Sequence, residues 1–549
     1  MLPRLHRLPR AALSLTLVIV GVAVFVAGCG GGGGSSSSPP PPVKLPPPRT
    51  APMISIFEAE AQLRGTPAQT AQNIDVLRKL GADVIRLYMP WNQLAPHPTS
   101  RTKPSFDATD PSSYSATTWA IYDTIIRDAT ARGMGIDLTI GEPVPLWATG
   151  SGAPPGGPHP QWKPSALDFR DFVKAVGTRY SGDYTPPGAS KPLPRVKFWA
   201  IWNEPNYGVD LAPQAIHNSE VEVSPRLYRD LVDAAWTALH DTGHSRDTIL
   251  IGETAPRGLT TGNNPGNFSG MVPLRFIRAL YCVDQSLKPL QGQAGAERGC
   301  PTDAAGSKQF RSHNPGLFEA TGFSDHPYPQ GRIAPNVPTP NQPDYADLPM
   351  IPKLERTLDT LQAVYGSHKR FPIYSTEFGL QTNPPEKIAR AIDSVTAADY
   401  LNWSEYLSWR NSRIRSYDQY LLTDPPAGNF ATGLAYSTGQ PKPQLYDAYR
   451  MPLFLPVTKF QKGQALEVWG DARPAHFVRN DGKGAQRVKI QLQKGSSGSF
   501  DTLRTVTLPA KTGYFDIKMQ FPDSGTVRLK WAFPKGPAIY SRPVSVTMS

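Results

Sequence analysis

Between residues 53 and 450, short apolar runs alternate with segments whose apolar positions recur every three or four residues. Eight runs read as strands: MISIFE from Met53, DVIRLYM from Asp83, MGIDLTI from Met134, VKFWAIW from Val196, TILIGET from Thr248, ATGFSDH from Ala320, FPIYSTE from Phe371 and RSYDQYLL from Arg415. Amphipathic helices fill several intervals. In TPAQTAQNIDVLRKLGA, Thr66 can cap the helix and Pro67 takes its first turn. ALDFRDFVKAVGTRY, SPRLYRDLVDAAWTALHDTG and IPKLERTLDTLQAVYG carry the same spacing. Eight strands alternating with helices over about 400 residues predict a (β/α)8 barrel with long loops. A doubly wound open sheet would carry a Gly-rich phosphate loop after its first strand, and none is present.

After Pro456 the period changes from helical to strict alternation. QALEVWGDARPAHFV, QRVKIQLQKG, FDTLRTVTLP, GYFDIKMQFP, GTVRLKWAF and AIYSRPVSVTMS are short runs separated by Gly, Pro and Asp. They predict a C-terminal antiparallel β-sandwich, with Trp469 and Trp531 in its core. The expected division is a barrel over residues 51–452 and a sandwich over residues 453–549 that packs on the barrel and stabilises it, rather than binding polysaccharide on its own.

The first fifty residues follow neither pattern. MLPRLHRLPR is basic, AALSLTLVIVGVAVFVAG is apolar and ends in small residues, and Cys29 comes next. Val26-Ala27-Gly28-Cys29 resembles the lipobox of bacterial lipoproteins. That resemblance implies a signal peptide at residues 1–28, cleavage before Cys29 and lipid attachment to its sulfur. An uncleaved transmembrane anchor is the other reading, since the apolar stretch approaches spanning length. Residues 29–50 are Gly/Ser-rich and then Pro-rich, a flexible and then extended tether that cannot build a core. Both readings put the folded body outside the cytoplasm, and the expected location is a membrane lipoprotein facing outward, or a secreted protein.

Composition alters this picture little. The formal charge of +12 raises nucleic acid as a partner, but Lys and Arg are spread along the chain with no basic block. An anionic membrane or wall polymer fits better, and a monomer is expected. After Cys29, Cys282 and Cys300 are the remaining cysteines; in an exported chain their spacing predicts a disulfide closing a local loop. A metal pair would need His and Cys neighbours that are missing.

Barrel chemistry belongs at the C-terminal tips of the strands. Those tips carry Arg86, then Trp147 just past the third strand, Asn203 and Glu204, Glu253, His326 and Tyr328, and Glu377. Carboxylates on otherwise apolar strands cost several kcal/mol unless paired and hydrogen-bonded. Trp91 and Trp147 read equally well as core or as sugar-stacking platforms. Clustered His ligands and a phosphate loop are both missing from the tips, so no metal or cofactor is expected.

WNEPN and YSTEFG, with DHPYP between them, resemble the retaining glycoside hydrolases built on (β/α)8 barrels, most nearly glycoside hydrolase family 5, the cellulase-like family. LRKLGADVIRLYMPWNQLAP is similar to the strand-2 region of that family. The resemblance covers residues 53–450, and WNEPN recurs in related xylosidase-like families. It implies that Glu204 is the acid/base, Glu377 the nucleophile and Asn203 the partner of the sugar 2-hydroxyl. Tyr328 would touch the nucleophile, Arg86 would stabilise its charge and His326 would line the subsite. Two positions depart from the family. Its strand-8 Trp platform is replaced by SYDQYLLTDPP, leaving Tyr420 or Gln419, and its strand-3 His by IGEPVPLWA, offering Glu142 and Trp147. The implied activity is hydrolysis of β-linked oligo- or polysaccharides. The competing reading is a catalytically silent surface glycan-binding lipoprotein, which the intact pair of glutamates argues against.

Overall fold

The computed structural model describes residues 52–216, 220–259, 267–495, 497–509, 512–534 and 536–549. The lipobox-like segment with Cys29, and the tether, lie outside the described residues. Among the described residues, no helix is long and apolar enough to cross a membrane.

Eight parallel strands close a barrel in sequence order: β1 (Ile54–Glu58), β2 (Val84–Pro90), β3 (Gly135–Gly141), β4 (Phe198–Ile201), β5 (Thr248–Thr254), β6 (Gly322–Asp325), β7 (Ile373–Ser375) and β8 (Ile414–Tyr420), which pairs back onto β1. All eight predicted runs coincide with a barrel strand to within a few residues at each end. β4 and β7 are shorter than their apolar runs at both ends, which leaves Asn203, Glu204 and Glu377 beyond the last strand residue. Ile56, Val84, Phe198, Ala200 and Leu250 form a small apolar cluster of alternate strand residues inside the barrel. The larger core lies between strands and helices.

Local chemistry explains the helices. Helix Pro67–Leu80 starts with a reciprocal capping box between Thr66 and Gln69 and has Pro67 in its first turn. It stops at Gly81, where φ is 90° and a β-carbon would lie 2.6 Å from the Arg473 backbone. Only glycine satisfies both constraints.

Two sheets follow, built from β9 (Leu453–Phe454), β10 (Lys459–Phe460), β11 (Ala465–Asp471), β12 (Arg487–Lys494), β13 (Asp501–Thr507), β14 (Tyr514–Gln520), β15 (Gly525–Trp531), β16 (Ile539–Tyr540) and β17 (Val544–Met548). One sheet has the order β10-β17-β15-β12-β13 with β16 beside β15; the other is β14-β11-β9. Pairing is antiparallel except between β10 and β17. The run QALEVWGDARPAHFV is not one strand. β11 ends at Asp471, and Ala475–Val478 is a helical turn. That turn brings Arg473 to Glu405 of helix Ser394–Arg410, at 2.6 Å.

Trp531 lies in the sandwich core as expected. Trp469 does not: it packs on Tyr406 and Trp409 of helix Ser394–Arg410 and belongs to the barrel-side core. Its strand faces the barrel, so the large ring fills the interface between the layers. Cys282 and Cys300 are joined by a disulfide across 18 positions. Arg229 reinforces that loop through the Leu280 and Gly299 carbonyls, 2.9 Å from each.

Candidate active site

The strand tips converge on one guanidinium. Arg86, on β2, is 1% exposed. Its Nη1 donates to Glu58 Oε2 at 2.5 Å and to Glu377 Oε1 at 2.7 Å; its Nη2 donates to Glu253 Oε2 at 2.9 Å and to Asn203 Oδ1 at 3.0 Å. Thus β1, β2, β5 and the segments following β4 and β7 are tied at a single cation. His326, fully buried after β6, lies 3.0 Å from Glu204 Oε1 through Nδ1 and 3.1 Å from Glu253 Oε2 through Nε2. Tyr328 donates its hydroxyl to Glu377 Oε2 at 2.8 Å.

One donor atom from each of Glu204, His326 and Glu377 lies within 4.8 Å of the others. Such a trio has the chemistry to hold a cation. Here both ring nitrogens of His326 already face carboxylates, an arrangement suited to proton transfer.

The backbone around these groups is strained. Trp202, Glu204 and Glu253 have φ of 71°, 33° and 46°, a region that side-chain-bearing residues seldom enter. Strain of this kind clusters where a scaffold aims functional groups.

The electrostatics follow from too many carboxylates around too few cations. Burial pushes Glu58 up to about 8 despite Arg86, because that guanidinium is shared with Glu377 and Glu253. Burial raises Glu204 as well, with Glu377 adding to the effect and His326 opposing it. Burial would also raise Glu253, but Arg86 and His326 outweigh it and bring this carboxyl down to about 2. In His326, burial disfavours the charged ring, while Glu377, Glu204 and Glu253 overcome that and hold it well above its usual range.

Of the residues expected from sequence, Arg86, Asn203, Glu204, His326, Tyr328 and Glu377 come together in this cluster. Trp147 does not offer its ring to a cleft. It is buried edge-on against Trp91 at 5.6 Å, with its indole N–H on the Pro96 carbonyl. Trp91 is likewise core, stacked on Phe172. At the end of β8, Gln419 is consumed by the Thr432 carbonyl, whereas Tyr420 stands edge-on to Tyr328 and Phe430. Glu142, after β3, is buried, with Oε2 unpartnered among the described residues.

Sequence reasoning passed over Glu58 and left Glu253 without a role. Glu58 was detectable by the signal that marked Glu204, a carboxylate closing an apolar strand, and it sits in register with Arg86.

No protein-family model matches this chain, and no curated protein matches it. Among solved structures, it is similar to the endo-β-1,4-mannanase from Thermotoga petrophila, at 11% identity over 90% of this chain and 98% of that one, TM-score 0.39. A glucosidase from Croceicoccus marinus aligns at 12% identity over 89% and 100%, TM-score 0.45. A family 1 β-glucosidase from Thermotoga maritima aligns at 16% identity over 70% and 85%, TM-score 0.42. The barrel assignment rests on this chain's own strand order, and the functional reading on its own side chains.

Proposed function

We propose that this chain is a retaining glycosidase acting on β-linked glycans outside the cell, held at a membrane through a lipid on Cys29. The supporting observation is the close approach of Glu204 and Glu377, with carboxylate oxygens within 4.8 Å. Retaining enzymes place their carboxyls about 5–5.5 Å apart, so that one attacks directly; inverting enzymes leave about 6.5–9.5 Å for a water. Glu377, gripped by Arg86 and Tyr328, attacks the anomeric carbon and forms a glycosyl ester. Glu204, whose proton is retained by burial and by the nearby Glu377, gives that proton to the departing oxygen. Glu204 then takes a proton from water as the water attacks the ester, which restores both carboxyls and releases a sugar of unchanged anomeric configuration. Asn203, oriented by Arg86, faces the sugar 2-hydroxyl. The export signals at residues 1–28 and the tether after them support the proposed location.

The deciding experiment is turnover of a panel of aryl β-glycosides, with the first-formed anomer read by NMR. Retention is expected. Inversion would remove the double-displacement reading, and no turnover of any glycoside would favour a silent glycan-binding protein.

A further inference from the structure

Glu253 should not face inward. On β5, Leu250 points into the barrel, so strict alternation would send Gly252 and Thr254 inward and turn Glu253 toward the helices. The register with β6 shifts between Ile251 and Thr254. Within that irregularity Gly252 takes φ 114° and Glu253 takes φ 46°. A β-carbon at Gly252 would lie 2.4 Å from the Ser324 carbonyl oxygen, so only glycine allows this close approach. The bulge swings Glu253 inward, where it is wholly buried. One oxygen accepts from both Arg86 and His326; the other accepts from Thr376 at 2.9 Å.

We propose that Glu253 is a positioning residue for the glycosidase reaction: it keeps His326 a donor on both ring nitrogens, aims Nδ1–H at Glu204 Oε1, and holds Arg86 against Glu377. This rests on the glycosidase reading above. A neutral imidazole has one donor and one acceptor nitrogen. If Nδ1 became the acceptor, the proton of Glu204 would be drawn to His326 instead of the leaving oxygen. With Nδ1–H donating to Oε1, the acid proton of Glu204 resides on Oε2. The groups facing His326 are Glu204 after β4, Glu253 on β5, Glu377 after β7 at 3.6 Å, Asp137 on β3 and its own neighbour Asp325. Arg86 meets Glu253 and Glu377 from β2. Burial raises Asp325 to about 8, so it holds its proton near neutrality, and burial shifts Asp137 in the same direction. The charge opposite Nε2 is therefore that of Glu253.

The test is Glu253→Gln in the full-length protein, read in two ways. Side-chain 15N NMR, with His326 assigned by its loss in His326→Gln, should show an imidazolium from about pH 5 to pH 8 in the unaltered protein. In Glu253→Gln the ring should lose a proton within that window. For an aryl glycoside with a poor leaving group, the basic limb of kcat/KM should move to lower pH by at least about one unit. The reason is that the doubly protonated Glu204–His326 pair, the active form, loses the charge that stabilised it. Glu253→Asp, which keeps the charge, should leave the limb near its original position. A structural role alone would lower kcat or stability with the limb unmoved, and that result would overturn the proposal. So would a neutral His326 between about pH 6 and pH 8 in the unaltered protein, a measurement that needs no folded variant. Failure of every glycoside to turn over would sink the glycosidase reading, while the NMR result still reports whether Glu253 sets the charge of His326.

Discussion

Arg86 and Tyr328 hold Glu377, while His326 holds Glu204, so the two carboxyls should respond differently to substitution. On the proposed mechanism Glu377→Gln removes the nucleophile and should lower kcat by about 10^4-fold or more on every substrate. Glu204→Ala should cost about 10^2- to 10^4-fold where the leaving group needs a proton. It should spare glycosylation by an activated aryl glycoside, and added azide should then restore turnover as a β-glycosyl azide. Steady-state rates and product NMR check both; near-normal activity in Glu377→Gln would remove the assignment. These two glutamates were legible because each lies in a short, distinctive string. Glu58 has no such string, and its meaning comes from Arg86, 28 positions away. For Trp147 the sequence leaves core and platform equally open, because a loop aromatic reads the same whether it packs on sugar or, as here, edge-on against Trp91.

At the scale of elements, alternation and helical period located all eight strands and the main helices, because burial on one face enforces a period. A bulge breaks that logic, as it does in β5. The loop after helix Pro273–Leu280 offers a separate test. Replacing both Cys282 and Cys300 by Ser frees an 18-residue loop, and chain-entropy arguments put the cost at about 3 kcal/mol. Arg229 still stitches the same loop, so the measured cost should fall at or below that figure. Urea unfolding of the double variant checks it; a far larger loss would mean that the disulfide also organises the neighbouring helix.

Across the whole molecule, the barrel and the sandwich share a buried polar interface. Glu405, fully buried, accepts from Arg473 at 2.6 Å and from Tyr514 at 2.5 Å. Glu405→Ala would take from Arg473 its nearest carboxylate, leaving Asp471 at 3.8 Å, and should destabilise the protein by up to about 3–5 kcal/mol, measurable by calorimetry. A negligible change would show that this cluster contributes little beside the other polar links between the two parts, such as Arg542 with Asp399 and Asn402. Stability should also depend on pH in a defined direction. Burial pushes Glu58 and Asp325 up to about 8 and Asp471 up to about 7. Unfolded carboxyls release their protons near pH 4, so from there to about pH 8 the folded chain binds more protons, and stability falls as pH rises. His326 acts in the same sense: its contribution is complete below 6.5 and is lost as pH climbs through its raised folded value. Glu253 acts oppositely, but only at the acid end; its contribution is present above 4.5 and is lost as pH drops toward 2. Tm should therefore decline between about pH 5 and pH 8. A Tm that rises across that window would contradict this charge arrangement.

Sequence by itself determined the barrel, the C-terminal β-structure that follows it and the disulfide pairing, and it marked Glu204 and Glu377 as strand-tip carboxylates. Each of these is written in local periodicity or in a short run of neighbouring residues. Tertiary structure alone decided which carboxylates share Arg86, that the Gly252 bulge turns Glu253 inward, and that Trp469 serves the interface with the barrel. Those outcomes depend on distances between segments far apart in the chain, on backbone angles that only a particular packing enforces, and on how many charges one buried guanidinium must satisfy.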